Sequence, residues 1–119
     1  MAERGEVTAE FVREQVARGR QYWLRFLWKG PRHGTLDEQA AGELQMAHLV
    51  YLFTLREQGK LVMNGPLTDD TDLRGVGVVT VESREEAEAL GDNDPAVLAG
   101  VLRSEIRPWF SIPGDILPA

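Results

Sequence analysis

A chain with no cysteine and only two histidines has few side chains that can move a proton near neutral pH. Thiol nucleophiles, disulfides, thiolate metal sites and iron–sulfur clusters are excluded by composition. Imidazole is the side chain best matched to general acid/base work at neutrality. His33 sits in Pro31-Arg32-His33-Gly34, a surface loop by every local cue. His48 stands in the middle of an apolar stripe, where leucine or alanine would carry no desolvation cost. One reading is a buried imidazole bonded to a backbone carbonyl. The other is a general acid/base held in one tautomer by a carboxylate. Asp94 is a carboxylate of interest, but an Asp before Pro95 is also what helix capping predicts. Spacing alone does not join the two residues.

Other chemical signals fail on inspection. Asp69, Asp70 and Asp72 suggest a calcium loop, yet counting from Asp70 puts Arg74 and Val81 where oxygen ligands are required. Gly75 and Gly77 form G-x-G, but Thr80 stands where a third glycine belongs, and the pair lies inside a strand pattern. Ser83 and Ser104 lack the setting of a nucleophile elbow. Nothing clusters at metal-ligand spacing, so no metal is expected.

These residues need elements to position them. Thr8 is an N-cap for a helix over about Ala9–Arg18, with Val7, Phe11 and Val16 as its apolar stripe. Gln21 to Lys29 alternates with period two. Tyr22, Leu24, Phe26 and Trp28 form one wholly apolar face, and Trp23, Arg25 and Leu27 occupy the other. Gly30-Pro31 stops this strand. The spacing then predicts a helix over Asp37 to Gln58. Leu44, His48, Tyr51 and Leu55 share its sheet-facing side, and Met46, Leu49, Val50 and Phe53 make the opposite side apolar too. That second side is expected to meet the amino-terminal helix or a partner subunit. Short strands follow at Lys60–Asn64, closed by Gly65-Pro66, and at Val76–Glu82. Ser83 caps Arg84–Leu90, Asp94-Pro95 opens a short turn, and Val101–Arg107 is a last strand.

The order is one helix, then βαββαβ, the split βαβ or ferredoxin-like arrangement of the α+β class. The expected layout is a helical extension over residues 1–19 and a single folded domain over 20–119. Helices cover one sheet face. The first strand's Trp23–Arg25–Leu27 face is expected to be the open one, closed by a ligand or a second subunit.

Composition agrees. The 119 residues carry 13 Lys plus Arg and 19 Asp plus Glu, a net charge of −6, with 43% hydrophobic and 27% charged residues. That is a globular balance, and the acidic excess argues against general nucleic-acid binding. The charged start and the absence of a long apolar run argue against a secretory signal or membrane span. A cytoplasmic location is expected.

Several runs together resemble the YCII-related (YciI-like) family. They are Ala47-His48-Leu49-Val50-Tyr51-Leu52, Gln58-Gly59-Lys60-Leu61, Asn64-Gly65-Pro66-Leu67, Glu85-Glu86-Ala87, Asp92-Asn93-Asp94-Pro95, Ala99-Gly100-Val101 and Glu105-Ile106-Arg107-Pro108-Trp109. The resemblance covers roughly Tyr22 to Phe110. It implies a ferredoxin-like fold that dimerises through its sheets, of the dimeric α+β barrel type. It also implies a His–Asp active-site pair at His48 and Asp94, with Gly65-Pro66 bordering the pocket. At least one relative is a dehydrochlorinase acting on a chlorinated hydroxyhydroquinone. Two features depart from the family pattern: the added amino-terminal helix, and Ala96 where relatives often carry an aromatic residue.

Two functions follow as expectations. The first is a cofactor-free, lyase-type enzyme on a small aromatic or enolisable substrate, with His48 as general base and Asp94 orienting it. Trp23, Arg25, Tyr51 and Met63 are its candidate pocket walls, and Arg25 is the candidate holder of an anionic oxygen. The second is a non-catalytic, small-molecule-binding or regulatory dimer using the same cavity. A third, a cofactor-free monooxygenase, ranks below the lyase reading, since nothing in the sequence asks for oxygen chemistry.

Overall fold

In a computed structural model, residues 5–119 are described. Residues 1–4, part of the expected helical extension, lie outside the described residues. The elements are α1 (Ala9–Ala17), β1 (Arg20–Lys29), α2 (Glu38–Glu57), β2 (Leu61–Pro66), β3 (Leu73–Val79), α3 (Arg84–Asp92), α4 (Pro95–Leu98) and β4 (Leu102–Ser111). The four strands form one antiparallel sheet in the order β2-β3-β1-β4. This is the expected ferredoxin-like α+β fold, preceded by an added helix.

Short-range chemistry sets the helix boundaries. Thr8, Asp37, Ser83 and Asp94 each place a side-chain oxygen on a backbone N–H of the following turn. Gly59, with φ of +72°, turns the chain out of α2 where a side chain would be strained. The core joins Leu52 and Leu55 of α2, Ala87 and Leu90 of α3, and Leu61, Val79 and Ile106 of the sheet. Burial of this kind contributes roughly 1.5–3 kcal/mol for each large apolar side chain.

Two strands are longer or shifted relative to the sequence expectation. β3 begins at Leu73 because Pro66 pairs with Gly75, which extends the β2–β3 hairpin toward the acidic tip. β4 runs through Pro108 to Ser111. It tolerates the proline because it is an edge strand, so a backbone N–H facing away from β1 is dispensable.

The faces of β1 are the reverse of expectation. Trp23, Arg25 and Leu27 point to the helices: Trp23 packs on the core, Arg25 bonds to the α3–α4 region, and Leu27 lines a cavity beneath α2. Tyr22, Leu24, Phe26 and Trp28 lie on the open face, where Tyr22 meets the Trp109 ring and Trp28 Nε1 donates to Glu105. Alternation reveals two faces but not which one is covered. Arg25 goes inside because partners await it there.

The outer side of α2 also differs. α1 buries none of its residues, and Met46, Val50 and Phe53 remain exposed, so the amino-terminal helix does not cover them. Among the described residues, no helix is long and apolar enough to cross a membrane.

Candidate active site

His48 lies mid-way along α2, the longest helix, on the side that faces the sheet. Asp94 is the N-cap of α4, held by Pro95 at the first helical position. The fold brings these two together across 46 residues of chain. His48 Nδ1 is 2.8 Å from Asp94 Oδ1 and 2.8 Å from Oδ2. Asp94 Oδ1 also accepts from the Ala96 N–H at 2.9 Å. The capping role and the imidazole contact thus occupy the same carboxylate.

Arg25 completes the cluster. Its Nη2 donates to Asp94 Oδ2 at 3.0 Å and to the Gly91 carbonyl at 2.8 Å, and its Nε donates to Ser104 Oγ at 3.1 Å. Nη1 is buried without an acceptor among the described residues. Gly91 has no room for a side chain, because an added methyl would strike Ser104 Oγ and press on Arg25 Nε. Exposure is 1% for Arg25, 6% for His48 and 0% for Asp94. A buried carboxylate is stable as an anion only when it is paired and hydrogen-bonded. Asp94 has all of these.

The Asp94 carboxyl is held below its ordinary value of 3.8. Burial, the largest single influence, would raise it. The hydrogen bonds from His48 and the Ala96 N–H, with the charges of His48 and Arg25, together outweigh burial. A folded value below the unfolded one means stabilisation that is complete above about pH 4 and lost as pH falls through the folded value. Circular dichroism is expected to show acid unfolding confined to pH below about 4, with a shallower acid dependence in Asp94→Asn. An acid profile unchanged by that substitution would refute the assignment.

An ionised carboxylate only accepts hydrogen bonds, so His48 Nδ1 carries the hydrogen it shares with both Asp94 oxygens. In neutral imidazole the lone pair then sits on Nε2. His48 lines a cavity of about 440 Å³, whereas Asp94 does not, which leaves the Nε2 side of the ring for the cavity. Such an arrangement can take up and return a proton. Among the described residues, no three His, Asp or Glu side chains stand together as a metal site.

The other sequence candidates are placed as follows. Gly65 and Pro66 line the cavity. Trp23, Arg25, Tyr51 and Met63 do not. Trp23 Nε1 donates to the Val81 carbonyl at 3.1 Å, and Tyr51 Oη donates to the Leu90 carbonyl at 2.6 Å. Burial, with the Asp94 charge, raises the Tyr51 phenol against the opposing effect of Arg25, so Tyr51 stays protonated and acts as a strut. Met63 pairs with Val78 on the open face of the sheet.

Sequence reasoning missed Gln45, Asn64 and Arg74 and set His33 aside as loop, yet all four line the cavity. One signal was present. Gly75 and Gly77 pair with Leu27 and Arg25 on the helix-covered face, where side chains would otherwise fill the layer. A methyl on Gly77 would stand 3.0 Å from Asn64 Oδ1 and Leu61 Cδ1. The G-x-G pair is therefore a space-making feature under the helices.

Fold and site define a ferredoxin-like α+β protein with a buried Arg–Asp–His cluster opening on a largely apolar cavity. The YCII-related domain model matches residues 24–110, and the chain belongs to that family. It is 36% identical over 62 residues to the uncharacterized protein YjpA of Bacillus subtilis (strain 168), a match covering 52% of this chain and 71% of YjpA. Among solved structures it is similar to 5-chloro-2-hydroxyhydroquinone dehydrochlorinase (TftG) of Burkholderia phenoliruptrix AC1100, in complex with 2,5-dihydroxybenzoquinone. That likeness has a TM-score of 0.55 and 29% identity, covering 74% of this chain and 92% of the other.

Proposed function

We propose that this protein is a cofactor-free, lyase-type enzyme on a small phenolic or enolisable ring compound. His48 is its general acid/base, and Asp94 is the residue that orients His48. The observation that carries this reading is the contact of His48 Nδ1 with both Asp94 oxygens at the wall of a cavity. The likeness to a dehydrochlorinase supports the reaction class. In that chemistry His48 Nε2 takes a proton from the ring substrate, and the electron pair released moves through the ring. The carbon–chlorine bond then breaks, with its pair leaving on chloride. HCl is lost overall, with no electron acceptor required.

The working unit in this reading is a homodimer. Tyr22, Leu24, Phe26 and Trp28 give the open sheet face a run of large apolar groups that a second copy would cover.

The test uses 5-chloro-2-hydroxyhydroquinone, with chloride release as the readout, and a panel of enolisable ring ketones, with solvent-deuterium uptake as the readout. The wild-type chain is expected to catalyse at least one of these. In Asp94→Asn the amide nitrogen can face His48 Nδ1, reversing the tautomer and removing the base. A loss of about 10²-fold or more is expected. If compounds bind but neither chloride nor deuterium changes, the protein is a small-molecule receptor and the enzyme reading is overturned.

A further inference from the structure

An anionic oxygen in the cavity does not meet Arg25, because that side chain is buried outside the lining, its Nε and Nη2 held by Ser104, Gly91 and Asp94. The cavity lining nevertheless includes one cationic residue among those described. Arg74 lines it, beside Gly75. Arg74 Nη1 donates to the backbone carbonyls of Asp69 at 3.3 Å and Thr71 at 3.2 Å, which anchors one arm of the fork to the 67–72 loop. Among the described residues, Nε and Nη2 have no acceptor, and no carboxylate of that loop pairs with Arg74.

The rest of the lining has a consistent character. Among the described residues, His33, Gln45, His48 and Asn64 are its other polar side chains, and no carboxylate lines it. Leu27, Leu44, Leu49, Leu52 and Leu102 supply the apolar wall. A volume near 440 Å³ suits one substituted ring. A guanidinium with two unused donors beside low-dielectric walls binds a planar oxyanion in a forked, charge-assisted manner. The excess of acid elsewhere on the chain makes a carboxylate-free, Arg-bearing cavity a local exception to the net charge of −6.

We propose that the cavity selects a monocyclic organic anion, a ring bearing a carboxylate, phenolate or enolate oxygen. Arg74 holds that oxygen, and the leucines take the ring. This deepens the proposed function and rests on it for the placement of the reacting edge at His48. The uptake of the anion itself needs only Arg74 and the cavity.

The test is equilibrium binding to the full chain of three rings of one size: benzoate, benzamide and benzylamine. It is followed by calorimetry and by the amide signals of Ala96 and Val101. Benzoate is expected to bind at least about tenfold more tightly than the other two, a preference lost in Arg74→Gln and partly kept in Arg74→Lys. Arg74 is at the surface end of its strand, so both variants are expected to keep the wild-type Tm. Equal affinity for the three ligands, no benzoate binding at millimolar concentration, or a benzoate preference that survives Arg74→Gln overturns the proposal. An Arg74-dependent benzoate preference without any turnover refutes only the acid/base reading. Asp94-dependent turnover without that preference refutes only the anion assignment.

Discussion

His48→Gln is expected to lower the turnover of any substrate of this protein by about 10²–10⁴-fold while the chain stays folded. In the proposed mechanism the imidazole, whose Nδ1 meets Asp94, contributes a proton acceptor at Nε2 and a donor at Nδ1. Glutamine keeps a donor that can reach Asp94 and supplies no base. Steady-state kinetics with the proposed ring substrates measure the first effect, and a thermal melt measures the second. A rate unchanged within about threefold would remove His48 from the chemistry, since loss of a general base has a far larger effect. A collapse of Tm would instead mark His48 as a core residue, the alternative that its position in an apolar stripe leaves open.

Arg25→Met is expected to destabilise the fold by about 3–5 kcal/mol, because it strands the Asp94 carboxylate without its cation at a fully buried position. Against a typical total of about 5–15 kcal/mol, that is enough to unfold a large fraction of the chain at 37 °C. Urea unfolding measures it. The double substitution Arg25→Met with Asp94→Asn distinguishes the loss of the ion pair from the loss of packing. Removing both charges is expected to recover at least half of the single-variant loss, as buried pairs exchanged for uncharged groups often do. A double variant as unstable as the sum of the singles would show that Arg25 acts through its stem and its bonds to Gly91 and Ser104.

These two effects share a cause. Asp94 is at once a helix cap, the partner of His48 and the counter-ion of Arg25. Stability and the proposed activity therefore depend on one carboxylate. A chain that loses Arg25 is expected to lose the His48 geometry with it.

Much of this molecule follows from local rules. Thr8, Asp37, Ser83 and Asp94 announce their helices because a cap needs only an oxygen and a turn of backbone. The βαββαβ order follows from hydrophobic period and glycine punctuation, and His48 is conspicuous for its cost in an apolar stripe. The motif runs around His48 and Asp94 carry the family resemblance. What the tertiary structure alone decided is everything that depends on contacts across long stretches of chain. Alternation along β1 cannot say that Arg25 points inward, because the reason is a carboxylate 69 residues away. Nor can it say that Gly75 borders a cavity and that Gly77 leaves room for Asn64 and Leu61, which requires their pairing with Leu27 and Arg25 beneath α2. Arg74 gave no local sign of a binding role, since an arginine in a hairpin reads as solvated surface until a cavity forms beside it. Backbone preference acts over a few residues. Burial and charge pairing act through space, and they chose the face, the partner and the cavity.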